Sequence, residues 1–399
     1  MTTSQRKPFV LHTRVVTGTG GGPEKTILNS PRFLQTHGID SACLFMRPPG
    51  DDGFSTLEAK AAASGAEIIG VDDTGPFDRN VLRECLRICR SRNVDVWHAH
   101  DYKSNAIGLA LSKLYPMKLV TTAHGWVRFT SRTPLYYWID RFCMKRYEQV
   151  ICVSSDLQER CVEAGINESR ISLIDNAIVA EDYNPAPPTS AERLKFGFSD
   201  DRILLGAAGR LSEEKGFHHL INATSQLIAA GHNVGLIIAG EGHLKEELQQ
   251  QINSLDLQGH VVLAGFLNDP RDLYRAIDIF VLSSLREGLP NVVLEAMASQ
   301  RTVVTTRVNG IPRLVKDGEN GVVVETDSAD ELYTGILRCL EHNSLRTELA
   351  FSGRQTVENE FSFARRMSRI VGVYRSLSGE IAVRIGAENS NARQPAATC

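Results

Sequence analysis

Two series of short apolar runs constrain this chain more than any other feature. The first holds FVLHTRVV (9–16), SACLFM (41–46), AEIIGV (66–71), VDVWHA (94–99), KLVTTA (118–123), QVICVS (149–154) and ISLI (171–174). The second holds RILLGAAG (202–209), VGLIIAG (234–240), HVVLAGF (260–266), DIFVLSS (278–284), RTVVTTR (301–307) and GVVVE (321–325). Most are unbroken rather than alternating, which is how parallel strands buried on both faces read. The stretches between them, such as EKTILNSPRFLQTHG and DRNVLRECLRICRSRN, have the length and periodicity of helices. Such repetition gives an open parallel sheet with right-handed crossovers. The expected class is α/β, with two doubly wound, Rossmann-like halves facing across a cleft. Ligands of such sheets bind outside the carboxyl ends of the strands.

The two series are separated by YNPAPPTSAERLKFGFSDD (183–201), with three prolines at 185–188 and then a charged stretch, a linker composition. The expected division is a first domain over 1–185 and a second over 186–362. A helix over 363–378 then crosses back to the first domain, with Met367, Ile370, Val371, Tyr374 and Leu377 on one stripe. Residues 379–399 are small, polar and aperiodic, and are expected to form a disordered tail.

A formal charge of −3 gives no support for a nucleic-acid partner, which would require a basic excess. No apolar run reaches the ~18–20 residues of a membrane helix. The opening MTTSQRKP is followed by only FVLH before Thr13 and Arg14, too short for a secretory h-region. The expected location is the cytoplasm. The eight cysteines form no C-x-x-C pair. Cys85 and Cys89 share a helix face, but read as buried small hydrophobes in a reducing compartment.

Residues 18–26, GTGGGPEKT, follow the first run and open a helix. A Walker A loop needs Gly immediately before Lys-Thr, where Glu24 stands, and a dinucleotide fingerprint needs its third glycine where Pro23 stands. Both motifs fail. A glycine cluster beside a positive helix end remains, open either to a ligand or to no more than a permissive turn.

The second half carries more chemistry. In GRLSEEKG (209–216), Arg210 and Lys215 lie beyond the end of a strand and suit a diphosphate, one as a planar fork and the other as a point charge. Alternatively, Glu213 and Glu214 neutralise both cations in a solvated loop. In EGLPNVVLE (287–295), Pro290 suits the first helical turn, and Gly288 and Leu289 would aim amides outward from a helix N-terminus. Glu287 at the mouth and Glu295 about five residues into the helix can accept hydrogen bonds from vicinal diols, as on a sugar nucleotide. Acids near a helix start also complement its dipole without any ligand. Gly240-Glu241-Gly242 and Gly265-Phe266-Leu267 end two further strands on the same rim.

These residues resemble the retaining glycosyltransferases of the GT-B fold, family 4 type. The likeness runs from about Phe9 to Leu377 and is strongest over 203–325, through GRLSEEKG, AGEG (239–242), Glu287 and Glu295 with EAMAS following, NGIP (309–312) and DGENG (317–321). The resemblance implies that Arg210 and Lys215 bind the donor diphosphate with no metal or other cofactor, that Glu295 holds the ribose, and that Glu287 contacts the transferred sugar. It assigns Gly240, Gly265, Phe266, Gly288, Leu289 and Pro290 to the donor. The Gly20–Gly21 turn resembles the loop that closes on the donor, and His124 in TTAHGW matches the position that touches the donor sugar.

Other histidines say less. His98 and His100 in HAHD are metal-like but lack a third ligand in sequence, while Asp101 and Lys103 are candidates for the acceptor. The chain departs from the family at Gln300-Arg301-Thr302, often Gly-Lys-Pro, at Asn309-Gly310, often Gly-Gly, at Arg313, often Glu, and at Asn176-Ala177, usually Asn-Gly. No D-x-D occurs, in keeping with a leaving-group site that needs no metal. The implied reaction is transfer of a hexose or N-acetylhexosamine from a UDP-linked or other nucleotide-diphosphate sugar, with retention. The acceptor is a saccharide or a lipid-linked sugar of cell-surface polysaccharide or glycolipid synthesis. An epimerase, a phosphorylase or a non-catalytic sugar-nucleotide sensor on the same fold are the rival readings. Residues 113–148 hold seven Lys/Arg against two acids, interleaved with Trp126, Phe129, Tyr136, Tyr137, Trp138 and Phe142. That stretch suits either an anionic membrane face bearing a lipid-linked acceptor or a solvated helix face.

Overall fold

The computed structural model describes residues 6–76, 78–124, 133–183, 185–199 and 201–391, with side chains assigned for 135–377 of the later stretches. Among the described residues there are thirteen strands, one for each apolar run. They are β1 (Phe9–Val15), β2 (Asp40–Arg47), β3 (Ile68–Asp72), β4 (Val96–Ala99), β5 (Lys118–Ala123), β6 (Gln149–Cys152), β7 (Ile171–Leu173), β8 (Ile203–Ala208), β9 (Val234–Ala239), β10 (Val261–Gly265), β11 (Ile279–Leu282), β12 (Thr302–Thr306) and β13 (Val322–Val324). They form two sheets, ordered β3-β2-β1-β4-β5-β6-β7 and β10-β9-β8-β11-β12-β13. Every pairing is parallel.

Each sheet begins in its middle, winds outward to one side, and then returns to wind outward on the other. The order therefore reverses between β1 and β4 in the first sheet and between β8 and β11 in the second. At such a reversal the loops leaving two neighbouring strands part in opposite directions, and a crevice opens at the carboxyl ends. Alternation fills both faces of the second sheet. Leu204, Ile237, Phe280 and Val303 pack on one side, and Leu205, Leu236, Ile279 and Val304 on the other.

The chain divides into two compact units, 1–175 with 366–399, and 176–365. The expected boundary at 185/186 lies ten residues too late. Ile178, Ala180 and Tyr183 belong to the core of the second unit, and Ile178 exchanges backbone bonds with Phe361 and Phe363. The proline-rich stretch is part of that unit too. Thr189 caps the short helix Ser190–Leu194, whose Arg193 grips both oxygens of Asp278 at 3.0 Å.

The last helix, Phe363–Asn391, brings the chain back to the first unit, and its expected stripe of Met367, Ile370, Val371, Tyr374 and Leu377 is buried. The helix runs on through 379–391, where a disordered tail was expected; 392–399 lie outside the described residues. Those thirteen residues contain no proline, so nothing in them stops a helix already under way. All seven cysteines among the described residues are buried and form no disulfide. Burial pushes the Cys89 thiol up to about 12 and raises that of Cys85, so neither is a ready nucleophile or ligand. No helix among the described residues is long and apolar enough to cross a membrane.

Candidate active site

Two groups of candidate side chains gather at the two reversals of strand order. In the second unit, β8 ends at Ala208 and hands the chain to Gly209, Arg210 and a short turn, Glu213–Lys215. Neighbouring β11 ends at Leu282 and leads through Ser283 and Ser284 to Glu287. The Lys215 ammonium and Glu287 Oε1 form an ion pair across these loops. Ser284 Oγ also donates to Glu287 Oε1 at 2.8 Å, and Ser283 Oγ holds the Lys215 carbonyl at 2.8 Å. Both charged side chains are largely shielded, 18% and 14% exposed, which keeps the pair from being screened as a surface bridge is.

Arg210 is exposed, and its guanidinium has no partner among the described residues. Among the described residues neither Glu213 nor Glu214 forms an ion pair with these cations, and Glu213 meets His243 instead. One cation is therefore free and one is held by a carboxylate, both beyond the strand ends where an anion would lie.

The helix Asn291–Ala298 starts beside them. Pro290 stands one residue outside it, as its cap, rather than within the first turn. Its carbonyl accepts from Val293 at 3.1 Å, and no proline N–H is wasted. Among the described residues the amides of Gly288 and Leu289 reach no protein acceptor. Gly310 sets the position of that loop. A Cβ there would lie 1.7 Å from the Gly288 oxygen, so the 309–312 turn approaches the loop as only glycine permits.

Gly240 makes a similar approach, where a Cβ would lie 1.8 Å from the Gly209 oxygen, fixing the end of β9 against the start of the Arg210 loop. Gly265 ends β10 with positive φ, and Phe266 after it is 71% exposed. Glu295 is buried, and Tyr274 donates to its Oε2 at 2.9 Å. Burial first, and then the nearby Glu295 charge, push the Tyr274 and Tyr183 hydroxyls above their ordinary range. Neither tyrosine was singled out in the sequence.

In the first unit the reversal is lined by imidazoles. His12 of β1 and His98 of β4 sit side by side in register, on the face opposite Leu11 and Trp97. His100 and His124 follow at the ends of β4 and β5. His98 bonds Tyr374 of the returning helix at 2.5 Å and Thr122 at 2.8 Å. His12 Nδ1 meets His100 Nε2 at 3.1 Å, and His100 Nδ1 meets His124 Nε2 at 3.1 Å.

Burial lowers the pKa of His12 to about 3 and takes the other three well below 6.5; like-charge neighbours, including the Arg14 and Arg366 guanidiniums, add to it. His98 and His100 thus gain the third histidine that the sequence did not place beside them, with nitrogens of His12, His98 and His100 within 4.8 Å of one another. The signal was available in principle, because first and fourth strands are neighbours in this strand order.

The remaining first-unit candidates have local duties. Glu24 Oε2 accepts from the Gly21 amide at 2.7 Å, and its Oε1 accepts from Arg14 at 2.5 Å, so the Gly20–Gly21 turn is tied to β1 by the residue that breaks the Walker pattern. Arg14 also reaches the His100 carbonyl at 2.7 Å. Asp101 caps the helix Tyr102–Leu111 through the amides of Lys103 and Ser104 and accepts from Val15. The Lys103 ammonium is spent on both oxygens of Asp73 and on the Gly75 carbonyl, each at 2.6 Å. The structure thus gives Asp101 and Lys103, the acceptor candidates, local partners within the first unit. Of the 113–148 patch, Trp126 and Phe129 lie outside the described residues, while Leu114, Leu135, Trp138 and Phe142 are exposed.

Two doubly wound parallel sheets, one in each unit, are the architecture of the GT-B fold. Two family models match, Glycosyltransferase Family 4 over residues 20–182 and Glycosyl transferases group 1 over residues 189–356. Together they take in most of the chain, which belongs to the group 1 glycosyltransferases. The lipopolysaccharide core biosynthesis glycosyltransferase LpsE of Rhizobium meliloti is 33% identical over 213 residues, 53% of this chain and 60% of the relative. That match thus spans less than two thirds of LpsE. The UDP-Gal:alpha-D-GlcNAc-diphosphoundecaprenol alpha-1,3-galactosyltransferase of Escherichia coli is 24% identical over 307 residues, 74% of this chain and 79% of the relative. Anabaena HepE, solved in complex with UDP, has a TM-score of 0.76 at 20% identity over 92% of this chain and 100% of that one, a likeness of fold.

Proposed function

We propose that this glycosyltransferase moves a hexose or N-acetylhexosamine from a UDP-linked donor, with retention and without a metal in the leaving-group site. Its acceptor is a saccharide or lipid-linked sugar of cell-surface polysaccharide or glycolipid synthesis. The observation that carries the reading is the Lys215–Glu287 pair beside an unpaired Arg210 at the reversal of the second sheet. The UDP bound to HepE and the UDP-Gal donor in the name of the E. coli relative support the nucleotide, and LpsE supports the pathway class.

In the reaction the anomeric C–O bond to the diphosphate breaks, and the diphosphate leaves with the electron pair. The acceptor hydroxyl makes the new C–O bond and its proton passes to the departing diphosphate, which holds the electron pair of the broken bond. Arg210, Lys215 and the amides of Gly288 and Leu289 oppose the charge that grows on the leaving group, the kind of fixed electrostatic aid that commonly contributes most to catalysis. Glu287 keeps Lys215 in place and accepts from a sugar hydroxyl with its second oxygen. Glu295 takes the ribose diol while remaining bonded to Tyr274. His124 touches the transferred sugar.

A lipid-linked acceptor has one further support. Leu135, Trp138 and Phe142 are exposed on the helix Thr133–Met144, and Arg146 lies over the Phe142 ring at 3.6 Å. Apolar side chains flanked by cations suit an anionic bilayer surface. Sedimentation with anionic liposomes is expected to pellet the protein at low salt, and its absence from the pellet at every salt concentration rules that surface out.

The main test is the double variant Arg210→Ala/Lys215→Ala, assayed for nucleotide release from UDP-, GDP- and ADP-sugars across an acceptor panel. Transfer is expected to vanish while far-UV circular dichroism stays native. Near-normal turnover overturns the assignment, and nucleotide release that ignores the acceptor favours an epimerase or hydrolase.

A further inference from the structure

The three imidazoles of His12, His100 and His124 form a line. In each of the two contacts the ring centroids are 5.4 Å apart while the facing nitrogens are 3.1 Å apart. The difference matches one ring radius on each side, so the rings meet edge to edge with their nitrogens aimed at each other. A chelated ion needs lone pairs that converge on a third point; here they lie along the contact itself.

The rings are held neutral by burial and by the Arg14 and Arg366 charges, so each carries a single N–H. One proton must lie in each contact, which leaves two arrangements. Either every ring is protonated at Nε2, or every ring is protonated at Nδ1.

The blind end of the line chooses between them. His12 Nε2 is buried and has no hydrogen-bond partner. In the first arrangement it is an orphaned N–H, a feature that folded proteins rarely tolerate; in the second it is a bare lone pair, which is tolerated better. Arg366 sharpens the choice. It is a buried cation that acts on His12 electrostatically, and its own Nε also lacks a partner. A positive charge that reaches His12 favours a lone pair there over another N–H. The second arrangement places a proton on His124 Nδ1, the nitrogen that has no partner among the described residues.

We propose that His12 and His100 are positioning residues, which fix His124 in the Nδ1–H tautomer so that it presents a hydrogen-bond donor to an oxygen of the transferred sugar. The sugar contact rests on the function proposed above; the tautomer does not. Two buried side chains that never touch the ligand thus decide whether the third donates or accepts. Such control of a ring by its other nitrogen is general for histidine, and here it passes through two rings in series.

Long-range 15N–1H correlation spectra of the histidine-labelled protein at neutral pH read the tautomers directly. The wild-type protein is expected to show Nδ1–H at His12, His100 and His124. An Nε2–H at His124 overturns the proposal whatever the activity. His12→Glu adds the converse test. An ionised carboxylate can only accept, so it should draw a proton onto His100 Nε2 and reverse the whole line, leaving His124 with a bare Nδ1. The expected result is a switch of His124 to Nε2–H and a loss of tenfold or more in kcat/KM for the donor. A tautomer unmoved by His12→Glu also overturns the proposal, since a purely structural His12 predicts that outcome. If that variant fails to fold, the wild-type spectrum still decides. Failure of the function itself shows separately, as a wild-type protein that has the expected tautomers and releases no nucleotide from any donor.

Discussion

The two units repeat one strand order and put opposite chemistry at its reversal point. Between β8 and β11 the loops carry Arg210, Lys215 and Glu287, with glycines that let the backbones close in. In and just beyond β1, β4 and β5 lie four histidines held neutral, three of them buried and His124 half-buried; His12, His100 and His124 bond in series, and His98 bonds Tyr374 and Thr122. A doubly wound sheet supplies the crevice, but side chains at the ends of two strands decide whether it serves an anion or a neutral ligand.

Acid should separate the two units most strongly. His12 has a native pKa of about 3 against 6.5 when unfolded, so below pH 6.5 the unfolded state binds a proton that the native state refuses. Stability therefore falls as the pH drops from 6.5 towards 3, by about 1.4 kcal/mol per pH unit for this one group. His98, His100 and His124 shift in the same direction and steepen the slope. No buried histidine of that kind is described in the second unit, where the partly buried His218 is shifted less. Hydrogen exchange between pH 7 and 5 should show amides of the first unit losing protection before those of the second. Equal loss in both would mean that the histidines are not held neutral.

Next in size is the charged reversal. Lys215→Met should cost about 10²–10³-fold in kcat, or about 3–4 kcal/mol, as removal of a preorganised electrostatic donor does. It also strands Glu287, so the melting temperature should fall. Adding Glu287→Gln should restore the melting temperature and leave activity low. Recovery of both would make the pair structural only and remove the contrast between the units.

Gly310→Ala follows. The new Cβ would have to displace the Gly288 carbonyl, an overpacking cost of about 1–3 kcal/mol, and donor affinity should weaken with it because the same loop is meant to hold the donor. Isothermal titration with UDP beside a thermal melt tests whether the two losses move together.

The sequence conveyed these two regions unequally. All thirteen strands were legible, because parallel strands buried on both faces leave uninterrupted apolar runs. Lys215 and Glu287 stood out as charges placed just beyond such runs. His12 did not, since one histidine inside an apolar run reads as a core residue; its meaning comes from His98 beside it, 86 residues on in the chain and adjacent only through the strand order. The 183–201 stretch misled for a related reason. Proline and charge mark irregular backbone, but nothing local says that Tyr183 and Phe198 pack into the second core.

The smallest effect tests the second unit at a point where the chain departs from its family. Gln300 follows the helix Asn291–Ala298 and has φ of 56°, in the left-handed region, at the position where the resembling family often has glycine. A side chain with a Cβ costs about 1 kcal/mol there, which glycine at the end of a helix avoids. Its amide bonds the Met297 carbonyl at 2.9 Å, and glycine keeps that bond. Gln300→Gly should therefore raise stability by about 1 kcal/mol less the few tenths that the freer unfolded chain takes back. Because Glu295 lies on this helix and Glu287 in the loop before it, the melting temperature should rise while kcat holds. A stabilised but slower enzyme would mean that strain at Gln300 reaches the Glu287 loop, and that the charged reversal depends on its surroundings as closely as the histidine line does.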